Sequence, residues 1–337
     1  MSKKVLLAAV ALSMVSGAAM AQSSVTIYGN IDVGIGKAKS SGDQKWGLQS
    51  ASLVTSNGRS RLGFQGREDL GNGMWTGFKF EGDIVPSTGA SDGYQREAWV
   101  ALGSNTLGTV RLGRNTAVGF DAVITYELTH LSQYSVLSDT FGFGGVPIPF
   151  GSAQIKYSSP TFYGLSAELS YVPKGNGALI YNGTDNQSDR WSGDLVYAQG
   201  PIRAALVADK PSHTQTGGST ANKTNWSLGG SYAFGQMFAV SASYNRTNNA
   251  QHWQGAPSIV YGAQRYGWEL GGSFFTGPFS ITLDLTRDTK NQLYGGKKYT
   301  NGVLEGKYTL SKRTYLYVDY LRLDNDNNYG IGIDHTF

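Results

Sequence analysis

Alternation with a period of two residues is the feature that most constrains this chain. From Val25 to Ile35 one parity holds Val25, Ile27, Gly29, Ile31, Val33 and Ile35, and the other holds Tyr28, Asn30 and Asp32. Residues i and i+2 of a strand point to one side, so the stretch reads as a two-faced strand. The C-terminus repeats the pattern: Tyr329, Ile331, Ile333, His335 and Phe337 share a face opposite Asp334 and Thr336. Fourteen more such segments lie between, near 59–69, 73–84, 94–103, 106–115, 152–158, 164–172, 190–198, 201–209, 224–234, 237–246, 265–274, 278–287, 299–309 and 314–323. That makes sixteen. Beyond the N-terminus no apolar run approaches the roughly 18 residues a transmembrane helix needs.

The links between segments alternate between tight and long. Leu70-Gly71-Asn72, Gln199-Gly200, Gly235-Gln236 and Leu310-Ser311-Lys312-Arg313 are compact turns of Gly and polar residues. The intervening links are longer, apart from the last, near Asn325. An even number of strands with this rhythm predicts an all-β protein: a sixteen-stranded antiparallel transmembrane β-barrel with short periplasmic turns and longer external loops. Both termini then fall on the periplasmic side, and the first and last strands pair.

The two faces differ in chemistry. Leu62, Phe64, Phe80, Leu206, Leu228, Leu270, Ile281 and Val318 represent one; Arg61, Lys79, Glu81, Arg111, Glu168, Asp194, Arg203, Glu269, Asp284, Glu305, Lys307 and Asp319 represent the other. A soluble sandwich would alternate similarly, so other features decide for the membrane. Lys3 and Lys4, the apolar run Val5 to Val15 and Ala19-Met20-Ala21 predict a signal peptide over 1–21, with the barrel filling 22–337. Only 15% of residues are charged, aromatics reach 12%, and Tyr and Trp cluster at strand ends as in interfacial girdles. Absence of cysteine excludes disulfides, thiolate metal sites and Cys nucleophiles, and four scattered histidines leave little room for a histidine metal cluster. No cofactor, metal or nucleic acid is expected. A polar interior ringed by sixteen strands is too wide for side chains to fill and implies an aqueous channel.

Several stretches carry a resemblance. Ser24-Val-Thr-Ile-Tyr-Gly29, Ser60-Arg-Leu-Gly-Phe-Gln-Gly-Arg-Glu-Asp-Leu-Gly-Asn-Gly73, Leu107-Gly-Thr-Val-Arg-Leu-Gly-Arg114, Lys156-Tyr-Ser-Ser-Pro160 and Tyr308-Thr-Leu-Ser-Lys-Arg-Thr314 are similar, in family order, to the general porins of Gram-negative bacteria, most closely the beta-proteobacterial group. The terminal Phe337 of Asp-His-Thr-Phe resembles the family's barrel-assembly signal. The resemblance implies a homotrimer among outer-membrane lipid and lipopolysaccharide, passing small hydrophilic solutes and ions. It also implies a third external loop folded inward, here about 115–150, whose Phe141-Gly-Phe-Gly-Gly145 segment permits tight packing against the wall. Arg61 and Arg96 match the family's constriction arginines on the second and fourth strands; Asp121 and Glu127 are the candidates for the opposing loop acids, ahead of Asp139, and without the family's Pro-Glu-Phe-Gly pattern the sequence does not select between them. Two departures soften any strong anion preference: Phe150-Gly-Ser-Ala-Gln154 lacks the cation often found there, and position 30 is Asn. Weak selectivity leaning to anions is the expectation.

Rival functions leave weaker signatures. A barrel hydrolase needs a nucleophile–base pair or an acidic dyad, which the histidine positions do not suggest. A sugar-specific channel needs an aromatic track, to which Tyr28, Trp75, Tyr315 and Tyr317 would contribute. An energy-coupled receptor needs a plug domain ahead of strand one, and an adhesive barrel has no use for a loop sized to constrict a lumen. For Arg111, Arg203 and Lys307 wall ion pairs are expected, and His335 reads as an interfacial residue at the barrel base.

Overall fold

A computed structural model describes residues 24–42, 45–50, 52–146, 149–173, 189–211, 224–252 and 258–337; the expected presequence 1–21 lies outside them. Sixteen long strands follow in chain order: β1 (Ser24–Ala38), β2 (Arg61–Gly71), β3 (Met74–Val85), β4 (Glu97–Ser104), β5 (Gly108–Thr116), β6 (Phe150–Ser158), β7 (Leu165–Val172), β8 (Arg190–Gln199), β9 (Ile202–Pro211), β10 (Asn225–Phe234), β11 (Phe238–His252), β12 (Ser258–Thr276), β13 (Phe279–Asn291), β14 (Thr300–Ser311), β15 (Thr314–Leu323) and β16 (Asp326–Thr336). Each pairs antiparallel with its sequence neighbours. The sheet closes where β1 meets β16, from Asn30 opposite Thr336 to Ala38 opposite Asn328. The lower half of β1 pairs with β2. Above it, the short segment Gly47–Gln49 continues the pairing along Gly34–Gly36.

The outward face is apolar over its whole middle. Leu206, Leu228, Leu270, Ile281, Leu304 and Val318 are exposed, while their inward neighbours Val207, Ser227, Glu269, Thr282, Val303 and Asp319 are buried. A continuous apolar band of this extent has no place in water and suits the hydrocarbon core of a membrane. Strand positions agree with the alternation to within a few residues, except that β11 and β12 run several residues further at the external end. Above the membrane the outer face has no reason to stay apolar, so the pairing continues after the alternation ends. A register shift between Thr247 and Asn249 marks the change.

The interior is lined by loops as well as strands. Beyond the expected third loop, the first external loop also turns inward. Leu53 and Val54 join Ala38, Val303, Tyr317, Leu321 and Leu323 in a buried cluster. Asp32 holds the segment by accepting from Asn57 N at 2.5 Å, Gly58 N at 2.8 Å and the Tyr317 hydroxyl at 2.7 Å. Gly330 makes the approach possible, since a Cβ there would stand 1.6 Å from Val54 O. Gly330→Ala should therefore lower the unfolding free energy obtained from urea titration by about 1–3 kcal/mol. Gly272→Ala, with nothing within 4 Å of the added carbon, should leave it unchanged.

Candidate functional site

The lumen has two unlike sides. On one, β2, β3 and the approach to β4 hold a cluster of cations. Arg96 Nε donates to Glu81 at 2.6 Å and its Nη1 to Asp83 at 2.9 Å. Lys79 donates to Glu97 at 2.6 Å and lies 3.4 Å from Glu81. Arg59 sits 3.2 Å from Asp83, and Arg61 3.9 Å from Glu81, its Nη1 donating to Gly58 O at 2.7 Å. Four cations thus share three carboxylates. The side chains of Arg59 and Arg61 keep 39% and 31% of their surface open, against 5% for Glu81. On β5, Arg111 is next in line, 3.8 Å from Glu168.

The other side is roofed by the segment between β5 and β6. A short helix α1 (Val118–Val123) packs with Tyr126, Leu131 and Leu137 onto Val196, Ala205 and Val207 of β8 and β9. Tyr126 then lies over Gly229, and its hydroxyl is 3.1 Å from Ser227. Tyr134 donates to Glu305 at 2.7 Å and accepts from Asn57 of the first loop at 2.6 Å. A second short helix, α2 (Val136–Phe141), is capped by Ser135 and places Thr140 3.0 Å from Thr286, with Phe141 against Gly267. The return runs through Gly144 (φ 63°) and Gly145 (φ 86°), pressed onto Val207 and Asn225, as the glycine-rich sequence there predicts. Beneath this roof and the first loop lie Asp32, Glu269, Asp284, Glu305 and Asp319, none more than 3% exposed. These five acids are therefore withdrawn from the water, whereas Arg59 and Arg61 keep part of their surface open.

The expected site residues divide accordingly. Arg61 and Arg96 come together around Glu81, although Arg96 stands just before β4 rather than on it and stacks 4.6 Å over Phe150. Asp121 does not face them: it is tied to Lys156, which also reaches Glu168 at 2.7 Å, and it accepts from Thr116 at 2.7 Å. Glu127 is 1% exposed and accepts from Thr129 at 2.6 Å, Leu131 N at 2.8 Å and Ser135 at 2.8 Å, so it organises the loop itself. The buried Glu127 is taken up by the nearest donors, as a desolvated carboxylate requires; Asp121 keeps 30% of its side chain exposed and is held by Lys156. Asp139 is buried on α2. Arg111 and Lys307 form the expected wall pairs, Lys307 with Glu305 at 3.0 Å. Arg203 does not; it donates to Gly200 O and Ile202 O of its own turn. His335 lies at the base, its Nδ1 2.8 Å from the Thr314 hydroxyl. The tyrosines do not form a track: Tyr317 is buried on Asp32, Tyr28 donates to Glu81 and Tyr315 to Asn57, while Trp75 stacks with Arg67. Phe337 pairs with Gly29 through both backbone groups and rests its ring there.

Sequence reasoning missed Asp83, Lys156 and the buried Arg265, which bridges Asp288 at 2.9 Å and Asp324 at 2.6 Å. Lumenal parity would have found all three, but it does not say which polar residues meet.

A closed barrel with a polar, loop-narrowed interior defines a membrane diffusion channel. The chain belongs to the Gram-negative porin family, whose profile matches residues 8–328. It is 33% identical to outer membrane porin protein 32 of Delftia acidovorans over 242 residues, which cover 68% of this chain and 66% of that one. An outer-membrane porin of Bordetella pertussis is 28% identical across 99% of this chain and 100% of its own. Among solved structures, an anion-selective porin from Comamonas acidovorans superposes with a TM-score of 0.74 at 25% identity, covering 94% of this chain and all of that one. The protein is an outer-membrane channel for passive diffusion, not an enzyme.

Burial beside Asp324 and Glu127 raises the Asp139 carboxyl well above the usual carboxylate range. A group whose folded-state pKa is raised favours the docked loop when protonated. That contribution is full at low pH and is lost as pH rises above the undocked value. Asp139→Asn should weaken this dependence: proteolytic nicking of the loop should rise from pH 4 to pH 9 in the parent protein and rise less steeply in the variant.

Proposed function

We propose that the channel is weakly anion-selective, with Arg61 and Arg96 at its narrowest open passage. The observation that carries this reading is the unequal treatment of the two charges. Inward loops cover Asp32, Glu269, Asp284, Glu305 and Asp319, while Arg59, Arg61 and Arg111 stay partly open to the lumen. Charges spaced about 10 Å apart act across roughly one Debye length at physiological salt, so they bias a passing ion without holding it. The lean stays mild because Glu81, Asp83 and Glu97 neutralise most of the basic cluster. The similar Comamonas porin is anion-selective by its description, which supports the same sign here.

In this reading Asp121 and Glu127 set the loop in place rather than face the permeating ion. Residues 1–21 direct export and are removed, the segment 115–150 narrows the lumen, and Phe337 seeds barrel assembly. The working form is a homotrimer in outer-membrane lipid and lipopolysaccharide; a Vibrio cholerae relative in fold is described in a trimer form.

Arg61→Ala tests the assignment directly. Loss of about 0.5 kcal/mol of attraction, the scale of a partly solvated pair, should cut the chloride-to-potassium permeability ratio roughly twofold. Lys210→Ala, at the external end of β9, should leave the reversal potential in a KCl gradient unmoved. Equal effects would remove Arg61 from the passage.

A further inference from the structure

The first external loop meets the third inside the lumen. Leu53 and Val54 share one buried cluster with Tyr134 and Val136, against Ala38 of β1, Val303 of β14 and Leu321 of β15. Apolar packing holds two loops near one wall, but it is non-directional and does not fix one loop against the other. Asn57 supplies the direction. Its backbone N donates to Asp32 of β1 at 2.5 Å, and its Oδ1 accepts from the Tyr315 hydroxyl of β15 at 2.8 Å. Its Nδ2 donates to the Tyr134 hydroxyl of the third loop at 2.6 Å, and its backbone O accepts from Gln133 N at 3.2 Å. Tyr134 in turn donates to Glu305 of β14. A primary amide suits the position, since it accepts from one tyrosine and donates to another at once.

Beyond Asn57 the chain leaves this wall for the basic arc. Arg59 takes a left-handed conformation (φ 49°), its N donating to Ser56 Oγ at 2.9 Å, and its guanidinium lies 3.2 Å from Asp83 of β3. Gly58 O accepts from Arg61 at 2.7 Å, and Ser60 O from Ile84 N at 2.9 Å. The short run from Asn57 to Arg61 therefore reaches from the third loop to the cations, and its fastening at Asn57 fixes the two against each other. We propose that Asn57 sets the solute size limit of the channel by locking the first loop to Tyr134 of the third. It is a positioning residue, and the inference rests on the open passage lying between the third loop and the basic arc. Large solutes pass only while the two loops are parted, whereas small ones pass in either state. Their rates then read the parted population separately from the channel as a whole.

The test is liposome swelling by the full mature protein with uncharged sugars of graded size. Asn57→Ala should raise the rate for a trisaccharide about fivefold, the change that loss of one hydrogen bond makes in a two-state population, and leave that for a pentose unchanged. Tyr134→Phe deletes the hydroxyl that accepts from Asn57, while Glu305 keeps Lys307 as a partner. It should act in the same direction, and the double variant should exceed Asn57→Ala by little, because the two residues share one interaction. An unchanged trisaccharide-to-pentose ratio in either folded, heat-modifiable variant, or additive effects in the double variant, would overturn the proposal. If Asn57→Ala does not assemble, Tyr134→Phe decides the matter alone. Uncharged probes keep this reading apart from charge selection: a reversal potential without an anion lean refutes the selectivity and leaves the sugar ratio to judge Asn57.

Discussion

No water enters the hydrocarbon core to satisfy backbone N–H and C=O groups, and every other property of this molecule follows from that constraint. A sheet in lipid has to close, and here it closes between β1 and β16 over nine residue pairs from Asn30 to Ala38. Sixteen strands make a ring wider than side chains can fill. The chain then turns two loops into the ring, and the loops need a wall to lie on. The glycines opposite Val54 and Tyr126 supply clearance, and wall carboxylates supply acceptors.

Function emerges from where those loops lie. Packing Tyr126, Tyr134 and the two short helices against β8 to β15 buries the acidic wall, and the first loop does the same for Asp32. The uncovered arc is β2 to β5, where cations outnumber carboxylates and stay partly hydrated. In the proposed reading, charge selection depends less on which residues line the barrel than on which of them the loops leave visible, so replacing a buried wall acid should change loop packing first and replacing an open arginine permeation first.

Much of this was legible in the sequence. A strand in lipid displays its alternation along its full span, so strand number, connectivity and facing could be read from residues such as Ile281, Leu283 and Asp284. The extensions of β11 and β12 could not, because outside the membrane nothing enforces alternation. The arginines at 61 and 96 were found by resemblance, and the structure gathers them about Glu81. The acids were harder. Asp121 and Glu127 look alike in sequence as loop carboxylates, yet Lys156 captures one and Ser135, Thr129 and Leu131 the other. Those partners are set by the path of the loop across the lumen, which has no periodicity to betray it. Inward folding of the first loop was equally hidden, since nothing in the sequence sets Leu53 and Val54 apart from Trp46 and Leu48 of the same connection.

Single-channel recording of the purified protein in a planar bilayer, under a salt gradient, tests the central claim most directly. The expected result is an open channel with a near-linear current, closing in three equal steps, and a reversal potential displaced modestly toward that of the anion. A clear cation preference would contradict the burial of the acidic wall, and a folded barrel without conductance would show that the inward loops seal the lumen rather than narrow it.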